Sequence, residues 1–203
     1  GESVDLEVRR EPLEALLLAV LLGSVENDGF NALTLKTGVD AEQIVWLRAI
    51  FRYLRQIGLS FGADTVRGAL LRYPVLCQAL VALFQARHDP AVADADRGAA
   101  ETAQRAIIEE GLREVVSLED DRTLRMYLAV IEATLRTNAF QSPRPEALAF
   151  KVRSGDVPDV PLPVPHVEIF VYAPRVEGVH LRGGRVARGG LRWSDRRDDF
   201  RTE

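Results

Sequence analysis

Cysteine, histidine and lysine are all scarce in this chain. Cys77 is the one cysteine of 203 residues, so no intrachain disulfide can form, and a reducing compartment fits. His88, His166 and His180 lie far apart in sequence, without acidic or cysteine partners at ligand spacing. No metal site is expected. Lys36 and Lys151 are the only lysines, so the basic side chains are almost all arginine. No G-x-G-x-x-G follows a strand, and GGRVARGG has the wrong spacing and no surrounding βαβ unit, so no cofactor-binding residue is expected here. The longest apolar run falls well short of the ~20 residues that span a bilayer. RREPLEALLLAVLLGS imitates a signal peptide, but Glu11 and Glu14 interrupt it, and a helix packed into a core is expected instead. A net charge of −4 argues against a dedicated nucleic-acid binder.

What is present is mostly helical grammar. A 47% hydrophobic content allows a sizeable core. Pro12 suits a first helical turn, and a helix over Leu13–Leu22 ends at Gly23. Its apolar residues run round nearly the whole circumference, which implies burial on several sides. ENDGF (26–30) reads as a turn, followed by a short helix over 31–36 closed by Gly38. Asp40 and Gln43 form a capping box for a helix over Ala41–Ile57. Its apolar stripe is Ile44, Trp46, Leu47, Ile50, Phe51, Leu54 and Ile57. Arg48, Arg52 and Arg55 are placed toward another face, solvated or paired with acidic neighbours.

Helices over Ala63–Tyr73 and Val75–Arg87 break at Pro74, with Cys77 as a small core residue. Asp94–Val116, with Val115 and Val116 on its apolar side, and Leu118–Thr137, capped by Ser117, are expected to form an antiparallel hairpin. Six of the ten prolines then fall within residues 141–165, an extended stretch holding a short edge strand over Leu148–Val152. Strands over His166–Tyr172 and Gly178–Arg182 follow, joined around Ala173–Glu177. The glycine opening and the stop at Glu203 read as a piece of a longer protein.

The last stretch, EGVHLRGGRVARGGLRWSDRRDDFRTE (177–203), has a different character. Gly183-Gly184 and Gly189-Gly190 permit positive φ and close approach. Arg182, Arg185, Arg188 and Arg192 set planar cationic forks among them, suited to a carboxylate or phosphate. An anion-binding loop and a charged surface turn both fit that spacing. The two RGG triplets superficially match RNA-binding segments, but they follow an alternating strand in an acidic chain.

Residues 167–203, with the run RGGLRWSDRRDDFRTE, resemble the segment that opens the catalytic domain of large bacterial NAD-dependent glutamate dehydrogenases. ENDGFNAL and VWLRAIFRYLRQ resemble the preceding helical region more loosely. The resemblance implies an enzyme that deaminates L-glutamate oxidatively to 2-oxoglutarate and ammonia, a cytoplasmic homo-oligomer without nucleic-acid or membrane partners. NAD and the proton-transfer residues are then expected downstream, so no catalytic residue lies within 1–203 and the chain alone is inactive. Small hexameric relatives have a similar K-G-G-[LI]-R motif whose lysine holds the substrate carboxylate. Arg188 stands at that position, which makes Arg188, Gly189 and Gly190 the implied substrate-binding residues, with Arg192 and Trp193 bracing the loop.

The fold expected is mainly α, a bundle-like helical region followed by a proline-rich connection and a short β segment that begins an α/β catalytic domain. The divisions are 1–140 (structural, oligomerisation or regulatory), 141–165 (linker) and 166–203 (incomplete catalytic domain). The competing reading is a non-enzymatic α-helical interaction module with a charged Arg/Gly-rich docking tail. Binding of glutamate only in the presence of a downstream domain separates the first reading from the second.

Overall fold

Punctuation residues set most helix ends. The computed structural model describes residues 10–186, together with the backbone of 192–194. Among them are seven α-helices: α1 Arg10–Leu21, α2 Leu33–Thr37, α3 Ala41–Gln56, α4 Ala63–Arg72, α5 Pro74–His88, α6 Asp94–Arg113 and α7 Leu118–Ala133. Five strands follow: β1 Thr134–Thr137, β2 Leu148–Val152, β3 Val167–Ala173, β4 Val176–Arg182 and β5 Arg192–Ser194. The predicted class, mainly α and then β, is the observed one.

Gly38 caps α2 in the left-handed region at φ 75°, where a side chain would be strained. The Asp40–Gln43 capping box is reciprocal: the Gln43 N–H donates to Asp40 Oδ1 at 2.8 Å and the Asp40 N–H to Gln43 Oε1 at 3.0 Å. Pro74 opens α5 at its first turn, where its missing N–H leaves no helical bond unmade.

Two compact units divide the chain, residues 1–48 with 61–124 and residues 49–60 with 125–203. Helix α3 passes from one to the other between Arg48 and Ala49. In the first unit Leu33, Ile44, Leu47, Val66, Leu70, Leu80 and Leu83 are buried, and the Trp46 and Phe84 rings sit 5.1 Å apart. The neighbour of α6 is α5, where α7 was expected. Gly111 permits the approach, since a Cβ there would stand 2.5 Å from Leu76 Cδ2. Arg97 on α6 then donates to the carbonyls of Ala86, Asp89 and Val92 at 2.6, 3.0 and 2.9 Å. That satisfies groups the end of α5 leaves open.

Three further expectations are corrected here. Helix α1 buries only Leu16 among the described residues, while Leu17, Leu18, Leu21 and Leu22 are exposed. Helix α6 stops at Arg113, so Val116, expected on a buried side, is almost wholly exposed. Helix α7 ends at Ala133, four residues early, because Thr134–Thr137 pair with β2. No glycine or proline marks that switch; two β-branched threonines and a partner strand make it.

The second unit is an antiparallel meander in the order β1-β2-β3-β4-β5. Strand β2, predicted at an edge, is interior, and β1 takes the edge. Leu148, Phe150 and Val152 on β2 stand opposite Tyr172, Phe170 and Glu168 on β3, and all six are buried. The alternation predicted in β3 is present, but the more buried face is that of Glu168, Phe170 and Tyr172, not that of Val167, Ile169 and Val171.

Candidate functional site

The arginine–glycine stretch is carried by the hairpin of β4 and β5. A two-residue turn, Pro174-Arg175, joins β3 to β4, closed by the pair Ala173↔Val176. The turn is shorter than the Ala173–Glu177 connection predicted. Glu177 therefore lies inside β4, in register with Tyr172 on one side and Ser194 on the other. It is 4% exposed. Arg52, from α3, places its Nε 3.4 Å from Glu177 Oε1. The contact is an ion pair and not a directed hydrogen bond. One residue along α3, the Tyr53 ring lies 5.7 Å from that of Phe170 on β3. Helix residues 49–60 and the sheet thus share one packed layer.

At the far end of β4, the Arg182 carbonyl accepts the His166 N–H at 2.8 Å. Its Nη2 donates to the Arg185 carbonyl at 2.9 Å. Arg182 therefore braces the start of the connection to β5, a role not foreseen for it. Gly183 and Gly184 do not take positive φ, and nothing lies within 4 Å of where their Cβ atoms would be. Neither backbone strain nor crowding by described atoms requires these two glycines. Arg188, Gly189 and Gly190 lie outside the described residues. Arg192 and Trp193 fall in β5, opposite Val179 and Gly178.

Arg48 departs most from expectation. It was placed on a face either solvated or paired with acidic neighbours; it is paired, and its side chain is fully buried. Its Nε donates to Asp28 Oδ2 at 2.8 Å and its Nη2 to Asp28 Oδ1 at 2.7 Å. Nη2 also reaches Asn31 Oδ1 at 2.9 Å and the Glu26 carbonyl at 3.3 Å. The guanidinium stands 5.7 Å from the Phe30 ring centroid. This fork closes the ENDGFN turn onto α3. Of the other two arginines grouped with it, Arg55 is exposed and Arg52 is the partner of Glu177.

Cys77 and His88, both in the first unit, are displaced from their ordinary values. Burial pushes the Cys77 thiol up to about 12, opposed by a hydrogen bond with Thr37. It is neutral and inert at physiological pH. Burial, with Arg87 and Arg97 nearby, lowers His88 to about 4, and its ring lies 5.0 Å from that of Phe84. A histidine whose folded value lies below its unfolded 6.5 stabilises the fold above pH 6.5. That stability is lost as pH falls from 6.5 toward 4. The full span is worth at most roughly 3 kcal/mol. His88→Gln is expected to flatten this part of the stability profile, read from urea midpoints at pH 7.5, 6 and 5. An unchanged slope in the variant contradicts the assignment.

Among the described residues, no three His, Cys, Asp or Glu side chains come together as a metal site would need. No single helix among them is long and apolar enough to cross a membrane. The sheet is antiparallel throughout its described length and holds no βαβ crossover. The described residues therefore do not fit a dinucleotide cradle.

Residues 107–203 match the family model described as bacterial NAD-glutamate dehydrogenase, catalytic domain. Residues 25–90 match glutamate dehydrogenase, helical motif 3. The chain is 43% identical to the NAD-specific glutamate dehydrogenase of Halomonas elongata over 99% of its own length. It is 43% identical to that of Pseudomonas aeruginosa over 100%, and 44% identical to that of Mycobacterium tuberculosis over 91%. It spans only 12–13% of the length of these relatives.

Proposed function

We infer function from family: this chain belongs to the bacterial NAD-dependent glutamate dehydrogenases. We propose that it is a segment of an enzyme that oxidises L-glutamate to 2-oxoglutarate and ammonia with NAD. The observation that carries the reading is the joint match of a helical motif and the catalytic domain across most of the chain. When bound, NAD would accept the hydride from the glutamate α-carbon. The described residues do not fit NAD, and we place its site on the rest of the polypeptide.

Residues 1–140 form the mainly helical part in this reading, serving structure, oligomerisation or regulation, and residues 166–203 open the catalytic domain after the proline-rich linker. The catalytic-domain match itself reaches back to residue 107. The chain alone is then inactive, and no glutamate-dependent reduction of NAD is expected from it after purification. Family likeness supports a cytoplasmic homo-oligomer, which native mass measurement of the full-length enzyme checks.

Within this reading Arg188 holds a substrate carboxylate, with Gly189 and Gly190 leaving room for it. A charge-assisted bond contributes roughly 1.5–3 kcal/mol, about ten- to a hundredfold in affinity. In the full-length enzyme, Arg188→Ala is expected to weaken glutamate and 2-oxoglutarate by that factor and leave NAD unaffected. Arg188→Lys recovers part of the loss, since the charge survives without the planar fork. A lower melting temperature with an unchanged KM for glutamate would make Arg188 scaffold.

A further inference from the structure

Across strands β1 to β4, charge is sorted completely between the two faces of the sheet. The strands carry two carboxylates, Glu168 and Glu177. Both lie on the face of Phe170 and Tyr172, where Tyr53 of α3 packs. Every basic side chain of the four strands is on the other face. Arg136 stands opposite Lys151, Lys151 opposite Ile169, Ile169 opposite His180, and Val167 opposite Arg182. Alternation along β3 sets Val167 and Val171 on this face with Ile169. A central apolar stripe is therefore flanked by basic groups on both neighbouring strands, and no carboxylate of the four strands shares the face.

The stripe is not closed. Ile169 and Val171 stay partly exposed, whereas Phe170 and Tyr172 on the α3 side are buried. Neither Arg136 nor Lys151 has an ion-pair partner among the described residues. His180 Nε2 and Arg182 Nε are shut off from water without a hydrogen-bond partner among them. Buried nitrogens left in that state are costly. A carboxylate is the acceptor that would serve Arg182 Nε and the Nε2–H tautomer of His180 alike.

We propose that this face is the docking surface for an acidic amphipathic helix from the part of the polypeptide outside residues 1–203. It closes the sheet on one side as the second half of α3 does on the other. The proposal rests on the reading of this chain as a segment of a larger dehydrogenase, and deepens it by naming an internal partner. An α-helix is about 10–12 Å across with its side chains, and β2 and β4 stand about 9.5 Å apart on either side of β3. A helix laid along β3 therefore sets its apolar stripe on Val167, Ile169 and Val171, and its two flanks above Lys151 and His180. Carboxylates on those flanks meet the basic groups of both strands. A second copy of the same face does not fit, because a two-fold pairing of identical patches sets cations against cations. A small anion would neutralise the charge and leave the apolar stripe in water. The polypeptide itself is the source, since this chain spans only 12–13% of the length of its relatives.

Lys151 is the only lysine of the second unit, so its amine reports on this face. Zero-length carbodiimide coupling of the full-length enzyme joins an amine to a carboxylate in contact with it. The expected product, read by peptide mass, is Lys151 joined to an Asp or Glu outside residues 1–203, in a species with the mass of one subunit. The linked carboxylate should lie in a stretch whose apolar residues recur at helical spacing. Ile169→Asp sets a carboxylate against the acidic flanks and is expected to abolish the link. The unmodified enzyme decides the matter even where that variant fails to fold. Lys151 left uncoupled, coupled within residues 1–203 or coupled to a second subunit overturns the proposal. So does a partner stretch without helical period, or a link that survives Ile169→Asp. Glutamate-dependent reduction of NAD by the same preparation tests the underlying reading separately. If that activity is absent the reading fails, while the link still decides whether the face is a docking surface.

Discussion

Arg48→Met is expected to lower folding stability by roughly 3–5 kcal/mol, the cost of removing one partner from a buried ion pair. Methionine has similar length and flexibility, so packing volume is nearly kept and the loss isolates the guanidinium. The fork donates to both oxygens of Asp28, to Asn31 Oδ1 and to the Glu26 carbonyl. All of those acceptors lose a donor together. Asp28 is 31% exposed, so water offsets part of the cost and the lower half of the range is favoured. Arg48→Lys should fall between, because one ammonium cannot serve Nε and Nη2 partners at once. Asp28→Asn in the Arg48→Met background should cost little more than Arg48→Met alone. Urea unfolding of the four proteins measures this. A loss below about 1 kcal/mol for Arg48→Met would show that the turn holds without its cation.

The burial of Arg48 was legible in principle. The same helical spacing that groups Arg48 with Arg52 and Arg55 also sets it four residues after Ile44 and three before Phe51, within the apolar arc. Arginine's charge outweighed its position. Its partners sit in a turn about twenty residues upstream, and no local rule links them. Local signals fared better. The capping box at Asp40 and Gln43, the stop at Gly38 and the break at Pro74 are all decided within a few residues, and all are observed. The passage from α7 to β1 was missed because it depends on pairing Thr134 with Val152, a contact that periodicity does not register. Glu177 was missed because the Pro174-Arg175 turn was taken as longer than it is, which left the carboxylate in a loop. Segments that resemble the family in sequence also meet in space within each unit. Asp28 and Asn31 meet Arg48 in the first, and Arg52 meets Glu177 in the second.

Phe170→Ala should be about as damaging, at roughly 3–5 kcal/mol. Phe170 is fully buried, stands opposite Phe150 on β2 and Val179 on β4, and meets Tyr53 ring to ring at an interplanar angle of 56°. It therefore joins three strands to the helix at one point. Truncation to alanine leaves a cavity that the sheet cannot close, because its neighbours are fixed by their own ladders. Part of the cost is also the lost aromatic contact with Tyr53, about 0.5–1.5 kcal/mol beyond burial. Phe170→Leu keeps most of the volume and should cost under about 1.5 kcal/mol. Denaturant midpoints measure the difference, with the slope m checked for constancy so that the shift reports stability. The charge on Glu177 is untouched by either variant, so Phe170→Leu also separates packing from the ion pair. If Phe170→Ala costs less than about 1 kcal/mol, Tyr53 does not anchor α3 on the sheet.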